Sequence, residues 1–474
     1  MTTDAVVGVD IGTTETKALV IGTDGRELGF ARDRTTWHGP ETTADALLAD
    51  ALVAIDAALT AAETATGQRV RAIGLGLAGF AESGVVLDGA GRVVSPVIAW
   101  YDQRGAAELA ALDPVFREEF PRRTGLPVGP QWTIGKLLWR SDPLPPGACW
   151  LNIPEYVAHS LGAARVSEPS LASRTGLLDQ ATGKQWPEAL ALLGVGSLLP
   201  DSLPAGHSAG VVAQRPGVPA GLVGAAITVV GHDHPVAATG VGATGDHELF
   251  NSCGTADVLL RSVPRPLTDD ERETLVGRGI DAGRHVLDGQ SVLIGGIRAG
   301  LVMRRVLAML GADDPSGRAR LDMLTGDPRR VTVSGARSTD EDVTVTLSDG
   351  ASPAAVWSAT LAHISEVTES LLRGVNDVVG VHRAAVAAGG WTRMTSVREA
   401  KRRLLPELRF SSLAQPGAFG AALFAAWAAA GNPGEFLSFA DPLRRAALEP
   451  PIQGVTHDTP GTNPRGSQPH LRGT

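Results

Sequence analysis

This sequence predicts an α/β fold of two related lobes facing one another. Three observations predict it. Apolar strands alternate with helical stretches, a strand–turn–strand unit built on Gly-Thr occurs near the start and again about half a chain later, and 474 residues exceed one compact core.

The first unit is the apolar strand Ala5 to Ile11, a Gly-Thr-Thr turn and the strand Lys17 to Ile21, closed by the turn Thr23-Asp24-Gly25-Arg26. Thr42 and Thr43 can cap a helix from Ala44 to Ala65 with Leu48, Ala51, Leu52, Ile55 and Leu59 on one face. Strands follow at Val70 to Leu77, Val93 to Ala99 and Ala226 to Val230. The second half begins near Ala243, with Leu249 and Phe250, a turn at Ser252 to Thr255, and Val258 to Leu260. Helices are expected at Ile297 to Leu310, Pro353 to Val379, Ser396 to Leu405 and Ala418 to Ala430, the last stopped by Gly431. The division is therefore a lobe over 1–242, a lobe over 243–448, and a Pro-, Gly-, Thr-, Ser- and His-rich tail over 449–474 expected to be disordered.

A net charge of -9 argues against a general grip on nucleic acid, which needs clustered cations. Cys149 and Cys253 are the only cysteines, which excludes a disulfide framework and a cysteine-based metal site. No basic n-region opens the chain and no run of about 18 apolar residues interrupts it, so a cytoplasmic enzyme is the expectation.

The strongest local signal is Asp10-Ile11-Gly12-Thr13-Thr14-Glu15-Thr16-Lys17. Here a strand ends in an acid, and the turn offers backbone N–H groups, Thr hydroxyls and a Lys, a cradle for terminal phosphates. Asp10 could hold Mg²⁺ through water. A polar hairpin turn that satisfies its own backbone reads equally well. Ser252-Cys253-Gly254-Thr255-Ala256-Asp257 offers a second such turn, with Thr255 aimed at phosphates, or again only a hairpin.

Gly231-His232-Asp233-His234-Pro235 follows a buried-looking strand, so its carboxylate can face a cleft. Asp233 suits a general base for phosphoryl transfer to a hydroxyl. Metal ligation by His232, Asp233 and His234 is the rival reading, disfavoured because adjacent residues rarely point at one ion. Helix N-capping by Asp233 is a third. Trp100-Tyr101-Asp102-Gln103-Arg104 combines an apolar plate with donors and acceptors, as a polyhydroxyl site does, or anchors a loop with an Asp–Arg pair. Ala387-Ala388-Gly389-Gly390-Trp391 lets an adenine or ribose lie on backbone, with Gly295, Gly296 and Gly300 as an opposite wall, although close packing also demands glycine. Gly74-Leu75-Gly76-Leu77-Ala78-Gly79 matches a dinucleotide pattern, but a turn and a strand follow where a helix should open.

In this order the segments resemble the FGGY carbohydrate kinases from about Ala5 to Ala430. The carriers are V-G-V-D-I-G-T-T-E-T-K at the start, I-A-W-Y-D-Q-R ending at Arg104, S-L-A-S-R-T-G at Ser170 to Gly176, G-H-D at Gly231 to Asp233, S-C-G-T-A-D, A-G-G-W at Ala388 to Trp391, and P-G-A-F-G-A-A at Pro416 to Ala422. The resemblance implies two actin-like (ribonuclease H-like) lobes with a cleft between them, and phosphorylation of a sugar or polyol hydroxyl by ATP with Mg²⁺. It implies Asp233 as general base, Asp10 as the Mg²⁺-linked acid, and Gly12, Thr13, Thr14, Lys17, Gly254 and Thr255 at the phosphates. Gly300, Gly389, Gly390 and Met394 would line the nucleotide, and Glu82, Trp100, Asp102, Arg104 and Asp233 would face the sugar.

Xylulose kinases usually carry a His where this chain has Glu82, and an acid there is closer to fuculose-type kinases. A carboxylate at that point favours a neutral ketose or polyol over a sugar acid. The expected partners are that small molecule and ATP, with a homodimer allowed for and neither nucleic acid nor membrane. The alternative is a catalytically degenerate regulator that binds sugar or nucleotide with the same fold. A repressor would need a basic helix-turn-helix and a chaperone a peptide-binding domain, and the reading finds neither.

Overall fold

The computed structural model describes residues 1–448 except 325, 338, 339, 341 and 406; the expected tail lies outside the described residues. The first sheet contains β1 (Thr2–Ile11), β2 (Glu15–Gly22), β3 (Glu27–Arg34), β4 (Arg69–Gly79), β5 (Gly210–Val211) and β6 (Ala226–His232), in the order β5-β6-β4-β1-β2-β3. Both faces of β1 and β4 are covered, so their central residues read as continuous apolar runs and are buried. Helix α1 (Ala44–Thr66) is capped by Thr43, whose hydroxyl accepts from the Ala46 N–H, and ends at Gly67 in the left-handed region. Its buried face is Leu47, Ala51, Ala54, Ile55, Ala58, Leu59 and Ala62, rotated from the expected one. The cause is close packing of its alanines on β3, where a Cβ on Gly29 would lie 2.4 Å from the Ala58 carbonyl oxygen.

The short helix α2 (Pro169–Ala172) sits beside the end of β6, and α3 (Asp233–Val241) leaves that strand directly. The second sheet contains β7 (Glu248–Cys253), β8 (Asp257–Val263), β9 (Asp281–Arg284), β10 (Ser291–Ile297), β11 (Ala384–Ala388) and β12 (Leu408–Phe410), in the order β9-β10-β8-β7-β11-β12. Around it lie α4 (Ala299–Met309), α5 (Pro353–Val379) and α6 (Thr395–Leu404), and α7 (Pro416–Ala429) follows in the chain, each within two residues of expectation.

The repeat expected from the Gly-Thr turns is a repeat of topology. In the run β3-β2-β1-β4-β6 the pairings are antiparallel, antiparallel, parallel, parallel, and β10-β8-β7-β11-β12 repeats them. Helix α7 lies on the first sheet instead. It packs on β1 and β4, where a Cβ on Gly8 would lie 2.0 Å from the Ala418 carbonyl oxygen, and one on Gly76 2.1 Å from that of Ala421. This accounts for the glycine pattern in β4: Gly74 and Gly76 admit a helix backbone, not a dinucleotide.

One expected strand is largely absent. Of Val93 to Ala99, Val93 forms an isolated bridge with Leu87 and Val97–Ile98 pairs with Glu41–Thr42; Pro96 between them offers no N–H and fixes the backbone beside it.

Candidate active site

Asp10 lies near the end of β1 and pairs in register with Lys17 across the hairpin. Its Oδ1 is buried without a hydrogen-bond partner among the described residues. Burial pushes its carboxyl up to about 6, with Lys17 pulling it down and Asp233 pushing it further up. The mutual influence of Asp10 and Asp233 brings the first and fourth of the chemistry-bearing motifs to one locality.

Asp233 is the first residue of α3, and His232 occupies the cap position, so the expected N-capping by Asp233 does not occur. Its Oδ1 instead lies 3.2 Å from His232 Nε2 and 3.7 Å from His234 Nδ1, and makes no hydrogen bond among the described residues. Burial opposes its ionisation, but His234, His232, a backbone hydrogen bond and Lys17 outweigh burial and hold it below the usual carboxylate range. Burial also holds His232 neutral, down to about 3. The three ligand-type atoms of His232, Asp233 and His234 lie within 4.8 Å of one another, so adjacent residues here do converge, contrary to expectation.

The turn between β1 and β2 is braced from outside. The Thr35 hydroxyl donates to the Gly12 carbonyl (2.6 Å) and the Trp37 indole to the Thr13 carbonyl (2.8 Å). The Gly12 N–H is spent on the Glu15 carbonyl, so among the described residues the cradle's unspent backbone N–H groups are those of Thr13 and Thr14. Trp100 Nε1 donates to the Thr13 hydroxyl at 3.2 Å, joining the Trp100 loop to this turn, and Trp100 remains 41% exposed.

Asp102 and Arg104 are occupied. Asp102 accepts from Arg104 Nε at 2.7 Å, Arg104 also pairs with Glu41 and lies over the Trp139 ring, and Lys136 Nζ donates to the Asp102 carbonyl. These residues brace the loop that carries Trp100. Glu82 is buried in a left-handed conformation (φ 68°), a strained state for a non-glycine residue. Its carboxylate accepts from Arg174 Nε at 2.7 Å; burial raises its pKa and Arg174 opposes the rise. Arg174 also reaches Asp281 on β9 at 3.1 Å, lies over the Trp132 ring, and keeps Nη1 unpartnered and buried. Arg174 thus ties Glu82 of the first half to the second sheet.

In the second hairpin Thr255 is exposed at the tip, and Asp257 is buried against Lys401 of α6 and the Asn251 amide. A Cβ on Gly300 would lie 2.1 Å from the Gly254 carbonyl oxygen, and one on Gly389 (φ 120°) 2.4 Å from that of Cys253. Both glycines are therefore required by packing on this turn, whereas Gly390 faces open space. Met394 is buried in the core cluster with Val397 and Trp357. Sequence reasoning missed Arg174 and Lys401. The available signal was a cation set among small or apolar neighbours, in Ala172-Ser173-Arg174-Thr175 and at Val397 and Lys401, four apart on one helix face.

The repeated lobe topology is that of two actin-like folds. The chain belongs to the FGGY family of carbohydrate kinases, whose N-terminal domain matches residues 5–240. The L-fuculokinase of Salmonella typhi is 25% identical over 282 residues, 55% of this chain and 57% of that protein. The chain thus spans little more than half the length of the curated relatives it matches. The ligand-bound xylulose kinase of Lactobacillus acidophilus superimposes with a TM-score of 0.79 at 18% identity, over 92% of each chain. The glycerol kinase of Plasmodium falciparum with ADP gives 0.79 at 16% identity, over 95% of this chain and 94% of that one. At these identities the two structures establish the fold. Among the described residues no helix is long and apolar enough to cross a membrane.

Proposed function

We propose that the chain transfers the γ-phosphoryl group of ATP to a hydroxyl of a small neutral sugar or polyol, with Asp233 as general base. The observation that carries this reading is a pair of half-buried, interacting carboxylates, each with one buried oxygen that lacks a partner among the described residues, whose surroundings push them apart, Asp10 up to about 6 and Asp233 down. Such divergence marks groups with different roles. Asp233 accepts the hydroxyl proton, the oxygen bonds to the γ-phosphorus, and the bond to the β–γ bridging oxygen breaks to release ADP.

Asp10 fits a Mg²⁺ ion, because its Oδ1 is a hard oxygen donor with no other partner. The ion would neutralise charge on the phosphate oxygens. Thr13, Thr14, Lys17 and Thr255 are assigned to the phosphates. Gly390 is assigned to the nucleotide, beside a turn shaped by Gly254, Gly300 and Gly389 and backed by Met394, while Gly12 shapes the first phosphate turn. Trp100 offers its ring to the sugar's C–H face, with Asp102 and Arg104 holding it there. Glu82 and Arg174 are assigned to sugar hydroxyls. The preference for a neutral substrate rests on the whole cluster: Glu82 and Asp281 against one Arg174 leave one net negative charge. Residues 1–242 and 243–448 are read as lobes that close over both substrates and exclude water.

The test is ADP release from ATP and Mg²⁺ across ketoses, aldoses, polyols and sugar acids. One strong neutral responder is expected. ATP binding without any responder moves the chain to the regulator reading, and no ATP binding overturns the kinase reading.

A further inference from the structure

Away from Asp10 and Glu82, a cavity of about 460 Å³ lies where the first half of the chain meets the β9–β10 connection of the second sheet. Ser167, Glu168 and Lys184 contribute from the first half, and Arg284 and Gln290 from the second. Three side chains of this wall, Ser167 through Oγ, Glu168 through Oε1 and Gln290 through Oε1, carry buried polar atoms with no hydrogen-bond partner among the described residues. Unpaired buried polar atoms are costly and rare, so three in one wall call for an explanation.

Glu168 is 1% exposed, and its second oxygen is fully engaged. That oxygen accepts from the Ser170 hydroxyl (2.5 Å) and the Leu171 N–H (3.0 Å), and the Ser170 hydroxyl accepts from the His232 N–H (2.9 Å). One unbroken chain of hydrogen bonds therefore joins the cavity wall to the Gly231–His232 peptide, one residue before Asp233. Gly231 is fitted to this arrangement: a Cβ there would lie 2.4 Å from Ser170 Oγ and 2.5 Å from Glu168 Oε2.

We infer that this cavity is a second binding site, for a neutral polyhydroxylated ligand that bridges the two halves of the chain. The orphaned oxygens of Glu168 and Gln290 call for hydroxyl donors, while Lys184 and Arg284 call for oxygen acceptors. A hydroxyl group serves as both. Formal charge in the wall is one net negative, with Lys184 and Arg284 against Glu168, Asp201 and Asp288, so a net anion gains nothing. Leu178, Leu199 and Val286 supply apolar surface for the C–H faces. Because the ligand contacts both halves and Glu168, its binding biases their relative position and the setting of the His232 peptide.

The site stands independently of the kinase reading, since the readout is binding. Ligand-observed saturation-transfer NMR on the full chain, with ATP present at saturation, would use ribitol, ribitol 5-phosphate and inorganic phosphate as separate probes. Ribitol is expected to bind, and Gln290→Leu and the cavity-filling Ser202→Trp, at another residue of the wall, are each expected to weaken it at least tenfold. Both variants should keep the parent's Tm and ATP binding. Ribitol binding untouched by both substitutions, or no ribitol binding, overturns the proposal. So does a tenfold or greater preference for the phosphate ester that Lys184→Met abolishes, or phosphate binding alone, since either makes the cavity an anion site.

Discussion

The hairpins β1–β2 and β7–β8 are the same backbone unit in two sheets of the same topology, yet their buried acids are treated in opposite ways. Asp10 keeps an oxygen without a partner and is pushed towards its protonated form. Asp257 is saturated by Lys401 and Asn251. A carboxylate left short of partners is free to act on a ligand, while one that is fully paired holds a turn in shape. The fold was repeated and the chemistry was not.

The largest expected effect sharpens the reactive side of this comparison. Asp233→Ala is expected to lower turnover by about 10²–10⁴-fold, the scale of a positioned base, with ATP affinity nearly unchanged. Steady-state kinetics and ATP titration check it, and near-normal turnover removes Asp233 from the chemistry. Next is a matched pair of substitutions. Lys401→Met strands a buried Asp257 and should destabilise the fold by about 3–5 kcal/mol. Asp10→Asn removes a buried acid that lacks a partner, so its Tm should equal or exceed the parent's. Equal losses of Tm in the two variants would erase the proposed difference between the hairpins.

A smaller effect is expected at Glu82. Glu82→Gln leaves Arg174 paired to Asp281 and should shift relative sugar preference by about tenfold, the order of one hydrogen bond. A weakened ATP affinity with an unaltered sugar profile would move Glu82 out of the sugar site. The smallest is a change of slope with pH. Burial raises Glu155 to about 7, so its folded form holds the proton more tightly than the unfolded chain does. The resulting stability is complete below the unfolded value and is lost as pH rises towards about 7. Urea midpoints between pH 5 and 8 should therefore fall less steeply in Glu155→Gln than in the parent, and parallel slopes would contradict this.

Much of the site was legible because its signals are local. Asp10 and Asp233 follow apolar strands in single short runs, and the turns announce themselves through glycine and threonine. Helix limits were close because caps and proline act within one turn. The partners of those residues were not legible. Arg174 stands 92 positions from Glu82 and 107 from Asp281, and Lys401 stands 144 from Asp257. Small or apolar neighbours hint that these cations are buried, but nothing in the local sequence names their partners. Asp102 and Arg104 were expected at the sugar, and only the folded chain shows that they satisfy each other and brace the loop that carries Trp100.

By itself the sequence determined the repeated α/β units, the two hairpin turns and the two acids at strand ends, since hydrophobic period and turn chemistry operate over a few residues. Tertiary structure alone decided which acid keeps a free oxygen, why Gly8, Gly74 and Gly76 lie beneath α7, and where the second cavity opens. Those outcomes depend on burial and on cations or backbone brought from distant positions, and desolvation acts only once the chain has packed.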